Sequence, residues 1–195
     1  RCGHEVVGVD NFARYGVIER DREYTFIQGD LTDPTFVDEI MQDIDGVIQA
    51  AALIYGVGGF HKYPADILAK DVVLHQNILW SMKKHNVEKI AYISSSMVYE
   101  RCQEHPSKEE HVMESLIPST DYGLSKLGGE ASVQMYKNSL ILRMCMTEKP
   151  FIHKKAFNDV EMNFMFHEDF AKYLLKLIDK KGIINVGGPT KIVYD

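Results

Sequence analysis

One feature constrains the fold of this chain above all others. Short apolar runs with almost no polar interruption alternate with longer stretches whose apolar residues recur at helical spacing. Residues 5–10, 24–28, 46–51, 89–94 and 139–144 read as strands. Strands that are apolar throughout suit burial on both faces, and so a parallel sheet. Residues 34–42, 64–85 and 122–137 carry helical periodicity, with Pro34 and Pro64 where a first turn tolerates a residue lacking N–H. A helix over 168–180 and a strand over 183–186 follow. Strand–helix–strand repeated along the chain predicts an α/β fold with a doubly wound parallel sheet.

Composition narrows the function classes. With 195 residues, 45% hydrophobic and 26% charged, the chain can bury a core of its own in one domain. A formal net charge of −6 speaks against a general nucleic-acid binder, which would carry a basic face. Cys2, Cys102 and Cys145 are odd in number and widely spaced, so a reducing, cytoplasmic setting is expected rather than a disulfide framework. The longest weakly polar stretch, residues 46–60, holds Gln49 and four glycines and is too short for a bilayer span. The eight histidines show neither H-x-x-x-H nor H-E-x-x-H, so no metal site is expected.

The strand ends carry the first chemical signals. Asp10, followed by Asn11, ends a strand where a carboxylate accepts hydrogen bonds from an adenosine ribose, or stands as an ordinary strand-end acid. A carboxylate there repels a 2′-phosphate and favours NAD over NADP, although Arg14 keeps NADP open. In Gly29-Asp30-Leu31-Thr32-Asp33, Asp30 is placed for an adenine amino group and Leu31 for the ring, while Asp33 reads as the cap of the helix that Pro34 opens. Ala50, Ala51 and Ala52 are small enough for a cofactor to lie against the backbone.

The later signals concern proton transfer. Tyr122 and Lys126 stand at i and i+4, on one helix face. The ammonium is expected to favour the phenolate and so to lower the tyrosine pKa. Ser94-Ser95-Ser96-Met97-Val98-Tyr99 closes a strand, and hydroxyls at the carboxyl end of a parallel strand face the crevice of such a fold. Ser95 is placed to hold the same oxygen as the tyrosine, while neighbouring serines serve as loop caps.

Taken in this order, these motifs resemble the extended short-chain dehydrogenase/reductase family, in its NAD-dependent epimerase/dehydratase group, from about Gly3 to Asp195. The resemblance implies a Rossmann-like NAD-binding domain over 1–144 and a small C-terminal substrate lobe over 145–195, whose last helix and strand return to the sheet. It implies Tyr122 as acid/base, Lys126 as its tuning partner and nicotinamide-ribose ligand, and Ser95 as the substrate-orienting hydroxyl. Asp10, Asn11, Asp30, Leu31, Ala50, Ala51, Ala52 and Ser94 would line the cofactor path, with Leu142–Cys145 near the carboxamide. His167–Ala171 and Asn185–Gly188 match a helix start and a late strand of the family. The implied substrate is a nucleotide-activated sugar and the implied assembly a homodimer through the two long helices.

Departures from the pattern keep other readings open. The glycine-rich turn and first strand are missing from these residues, and Arg1–His4 reads as a helix end, so both are expected upstream. Gly56-Val57-Gly58-Gly59 has the wrong spacing and reads as a substrate-facing loop. Asp71 stands where the resemblance expects asparagine, and the stretch between Met144 and His167 is short, which leans toward a reductase of dTDP-4-keto-sugar type. Ser96-Met97 lack the acidic pair of dehydratases. A non-catalytic NAD(P)-binding subunit is the rival from another class. Lys149, His153, Lys154 and Lys155 read as a solvated basic loop, or as phosphate contacts.

Overall fold

The computed structural model describes residues 3–14, 16–17, 22–54, 64–149, 158–189 and 191–192. In chain order the elements begin with β1 (Val7–Asp10), β2 (Thr25–Gln28), α1 (Pro34–Ile40), β3 (Gly46–Gln49) and α2 (Pro64–Lys84). Next come β4 (Lys89–Ile93), a 3-10 turn (Ser96–Tyr99), α3 (His111–Glu114), α4 (Asp121–Val133) and β5 (Asn138–Met144). The chain continues through β6 (Met146–Thr147), β7 (Glu161–Met162), β8 (Met165–Phe166), α5 (His167–Leu177), β9 (Gly182–Val186) and β10 (Lys191–Ile192).

The strands β3, β4, β5 and β9 lie parallel in that order, each joined to the next by a helical crossover. β1 and β2 form a separate parallel pair, and no described strand bridges β1 to β3. The doubly wound α/β class expected from the periodicity is the class observed. Two small pairs, β6 with β8 and β7 with β10, lie outside these sheets and had no signal in the hydrophobic pattern, because each strand has only two residues.

The two-residue period of a strand explains how the core is divided. On β4, Ile90 and Tyr92 face the helices α1, α2 and α4, packing with Val37, Leu74, Ile78, Met82, Val133 and Ile141. Ala91 and Ile93 face the other way and pack with Leu140, Leu142, Met144, Phe170 and Val186. With both faces covered, the strands read as continuous apolar runs. The same alternation puts Ser94 and Arg143 on the α4 side, a consequence that matters below.

Local chemistry sets the helix ends. Asp33 caps α1, its carboxylate accepting from Thr35 N and Phe36 N, with Pro34 in the first turn. The helix read over 122–137 starts one residue earlier, at Asp121, because Thr120 accepts from Gly123 N at 3.1 Å. It stops at Val133, where the chain turns into β5. Among the described residues no helix is long and apolar enough to cross a membrane.

Candidate active site

The carboxyl end of β4 and the first turns of α4 meet through a set of caps and close approaches. Ser95 accepts from Met97 N at 3.2 Å and so begins the 3-10 turn. At its far end the Glu100 carboxylate takes the backbone N–H and the hydroxyl of both Ser119 and Thr120. Burial pushes the Glu100 carboxyl up, but these hydrogen bonds outweigh it and hold the group below its usual value. A methyl at Gly123 would lie 2.8 Å from Pro118 Cβ and 2.9 Å from Met97 O, so only glycine lets α4 come this close. Gly129, two turns on, makes room for the Tyr92 ring in the same way.

This docking brings three predicted residues together. The Ser95 hydroxyl faces the Tyr122 phenol closely enough to oppose the rise in its pKa. The Lys126 ammonium lies 5.7 Å from the centre of the Tyr122 ring and 5.2 Å from that of Tyr92, and donates to Ile93 O at 2.9 Å. Lys126 is buried. Burial lowers its pKa to about 8, with Asp71 and Glu130 pulling the other way, so it is largely protonated at neutral pH.

The phenol does not follow the sequence expectation. Its pKa is pushed up to about 12, chiefly by burial; the Ser95 hydroxyl and the charge of Arg14 work against the rise, and Asp71 and Cys145 add to it. An ammonium one turn along does not outweigh the loss of water around the phenol, and its hydrogen bond is directed at the Ile93 carbonyl instead. At neutral pH the Tyr122 phenol therefore keeps its proton.

The remaining predicted residues line the strand ends. Asp10 Oδ1 accepts from Phe12 N at 2.7 Å, and its Oδ2 has no partner among the described residues. Asn11 donates to Asp30 Oδ2 at 3.4 Å, linking the ends of β1 and β2. Asp30 Oδ1 accepts from Thr32 N and Thr32 Oγ1, both at 2.8 Å, and these bonds hold its carboxyl below the usual range. Asn77 on α2 donates to the carbonyls of Leu31 and Thr32, fixing that loop. Ala50 is exposed, and Ala51 and Ala52 are partly buried, just past β3.

Ser94 turns its hydroxyl inward, to Glu130 Oε1 at 2.5 Å. Arg143, in the run read as lying near a carboxamide, is likewise buried: its Nε and Nη2 donate to Glu130 at 2.9 and 2.7 Å. Its Nη1 donates to the Tyr99 hydroxyl and to Glu109 O, both at 2.8 Å, and Tyr99 donates to Asn185 Oδ1 at 2.7 Å. Sequence reasoning missed Glu130, Asn77 and this role of Arg143. The available signal was a glutamate four residues beyond Lys126, on the same helix face.

The Gly56–Gly59 segment and residues 153–155 lie outside the described residues. Two shallow surface hollows, one at His4–Val6 and Arg22–Thr25 and one at Gln42–Asp45 with His85, sit at the amino-terminal ends of strands, away from Tyr122.

A parallel α/β sheet with acids, small residues and hydroxyls at its strand ends, and a Y-x-x-x-K helix across them, defines a nucleotide-binding domain of the dehydrogenase/reductase class. Residues 1–153 match the NAD dependent epimerase/dehydratase family, and the chain belongs to that family. It is 26% identical over 95 residues to GDP-L-fucose synthase of Escherichia coli (strain K12), covering 48% of this chain and 30% of that protein. It is 31% identical over 130 residues to UDP-glucose 4-epimerase of Halalkalibacterium halodurans, covering 66% of this chain and 37% of that protein. The matches thus span little more than a third of those relatives at most. In fold it resembles the structure of UDP-glucose 4-epimerase from Brucella ovis in complex with NAD, with a TM-score of 0.81 at 20% identity, over 99% of this chain and 73% of that one.

Proposed function

We propose that this chain carries the proton-transfer site and most of the cofactor platform of an NAD-dependent enzyme acting on a nucleotide-activated sugar, as an epimerase or a ketoreductase. The observation that carries the reading is the juxtaposition of the Ser95 hydroxyl with the Tyr122 phenol at the carboxyl end of β4, with the Lys126 ammonium 5.7 Å from the ring centre.

In this reading Ser95 orients a sugar hydroxyl or keto oxygen. Tyr122 gives a proton to that oxygen or takes one from it, and Lys126 supplies positive charge that favours the ionised phenol. The dinucleotide, when bound, supplies the hydride acceptor or donor. The residues present suit such a group. Asp10 offers a carboxylate oxygen that has no partner among the described residues for a ribose, which favours NAD over NADP, and Asn11 and Asp30 flank it. Leu31 and Ala50–Ala52 give a surface that a planar or extended ligand can approach. Ser94 contributes its small size only, since its hydroxyl is engaged by Glu130. Residues 145–195 act as a small substrate lobe from which α5 and β9 return to the sheet. The exposed Val72, Val73 and Trp80 of α2 support a homodimer through α2 and α4, and the free Cys102 and Cys145 suit the cytoplasm.

The test is Tyr122→Phe in the full-length protein with NAD and a panel of UDP-, GDP- and dTDP-sugars. Conversion falls by about 10²–10⁴-fold while NAD binding is kept. A variant that converts sugars at the wild-type rate, or a wild type inert on the whole panel, removes the enzymatic reading.

A further inference from the structure

A tight turn joins β2 to α1, and its two inner carbonyls have no backbone partner. Asp33 N donates to Asp30 O at 3.1 Å and closes the turn, and the first helical bond, from Val37 N, goes to Asp33 O. Leu31 O and Thr32 O are left over, both on partly buried residues. A carbonyl that loses water on folding must find a donor. Asn77, on α2, serves both: its amide nitrogen lies 3.1 Å from Leu31 O and 3.0 Å from Thr32 O, and it carries two hydrogens for these two acceptors. Among the described residues no other group donates to either oxygen.

The aim of the Asp30 carboxylate depends on the same turn. Asp30 is exposed, and its Oδ1 is held by Thr32 N and Thr32 Oγ1, both at 2.8 Å, while Asn11 reaches its Oδ2 only at 3.4 Å. Thr32 therefore directs Asp30, and Asn77 holds Thr32. The Phe36 ring closes the other side by lying against Gly29, where it leaves no room for a side chain. Further bonds on the same face of α2 key it to α1: Ser81 Oγ donates to Val37 O at 3.4 Å, and Lys84 Nζ pairs with Asp38 at 2.6 Å.

We propose that Asn77 is a positioning residue for the adenine end of NAD, which sets the preference for the 6-amino group by fixing, through Thr32, the direction of the Asp30 carboxylate. A carboxylate accepts from that amino group, whereas hypoxanthine puts an oxygen in its place. The preference is thus only as sharp as the hold on Asp30, because a loose carboxylate must be ordered again each time the ligand binds. The inference rests on the reading of Asp30 as the adenine acceptor and is independent of the role of Tyr122.

The test compares NAD with nicotinamide hypoxanthine dinucleotide, which differs in that one group, by titration calorimetry on the full-length protein freed of bound dinucleotide. Wild type prefers NAD. Asn77→Ala weakens NAD by about tenfold and the analogue much less, so the preference shrinks. Asn77→Leu, a good helix former of similar size, does the same and decides if Asn77→Ala does not fold. A purely structural role weakens both ligands alike or lowers only the melting temperature, and either result overturns the proposal. Asp30→Ala separates the two readings. A wild type that binds both ligands alike or neither, or an Asp30→Ala protein that keeps the preference, removes Asp30 as the acceptor and the proposal with it. Preference lost in Asp30→Ala but kept in the Asn77 variants removes the role of Asn77 alone. Sugar conversion enters none of these outcomes.

Discussion

Glu130 and Arg143 are 1% and 4% exposed, and the carboxylate accepts from Arg143 Nε and Nη2 and from Ser94 Oγ. Changing Glu130 to leucine leaves a guanidinium buried under α4 without its counter-charge, a loss of roughly 3–5 kcal/mol. For a chain of this size each kcal/mol moves the melting temperature by about 2–4 °C, so Glu130→Leu melts roughly 6–20 °C below wild type. Arg143→Met, which strands the carboxylate, loses a similar amount. The double variant is the informative one. With both charges gone the desolvation penalty disappears, and what remains is the loss of partners for Ser94, Tyr99 and Glu109 O, about 1–3 kcal/mol. It is therefore more stable than either single variant. Urea and thermal unfolding followed by far-ultraviolet circular dichroism give the three differences, without ligand, which would add its own stabilisation. Because the pair is buried, the coupling persists in high salt. A double variant that loses the sum of the two single losses refutes the reasoning, since the two charges would then be independent.

Other outcomes follow from the same structure. The His75 ring is buried against Tyr92 with neither nitrogen partnered among the described residues, and its pKa is brought down from 6.5 to about 4. Since the folded value lies below the unfolded one, its contribution is whole above about pH 6.5 and is lost as pH falls toward 4, by up to ~3 kcal/mol. His75→Phe flattens that part of the stability–pH curve, and an equal slope in both proteins would count against it. Gly129→Ala drives a methyl into the Tyr92 phenol and costs about 1–3 kcal/mol, with Gly128→Ala, facing open space, as the neutral or stabilising control in the same melts. Sedimentation of the full-length protein at micromolar concentration gives a dimer, weakened by Trp80→Glu; a monomer sinks the α2–α4 assembly.

Much of this was readable from local pattern. The apolar runs at residues 89–94 and 139–144 became β4 and β5 with their ends moved by one residue at most. Asp33 and Pro34 open α1 as the residue types demand, and Tyr122 and Lys126 share a face of α4 because their spacing is that of one turn. The ionisation of Tyr122 was misjudged, because spacing gives the position of a charge but not the water removed around its neighbour. The two-residue strands β6, β7, β8 and β10 had no local signal either, since each is too short for a period to show.

Period and chain order alone determined that this protein alternates strands with helices and gathers acids, alanines, serines and the tyrosine–lysine pair at one end of a parallel sheet. Only the tertiary structure decided which of those groups keep their hydrogen-bonding capacity for a ligand. Ser94 and Arg143 are turned to Glu130, and Asp71 to Leu53 and Ser125, while one oxygen of Asp10 has no partner among the described residues. The reason is that a buried polar atom must find its partner wherever packing brings one, and such partners stand 13 to 54 residues away along the chain.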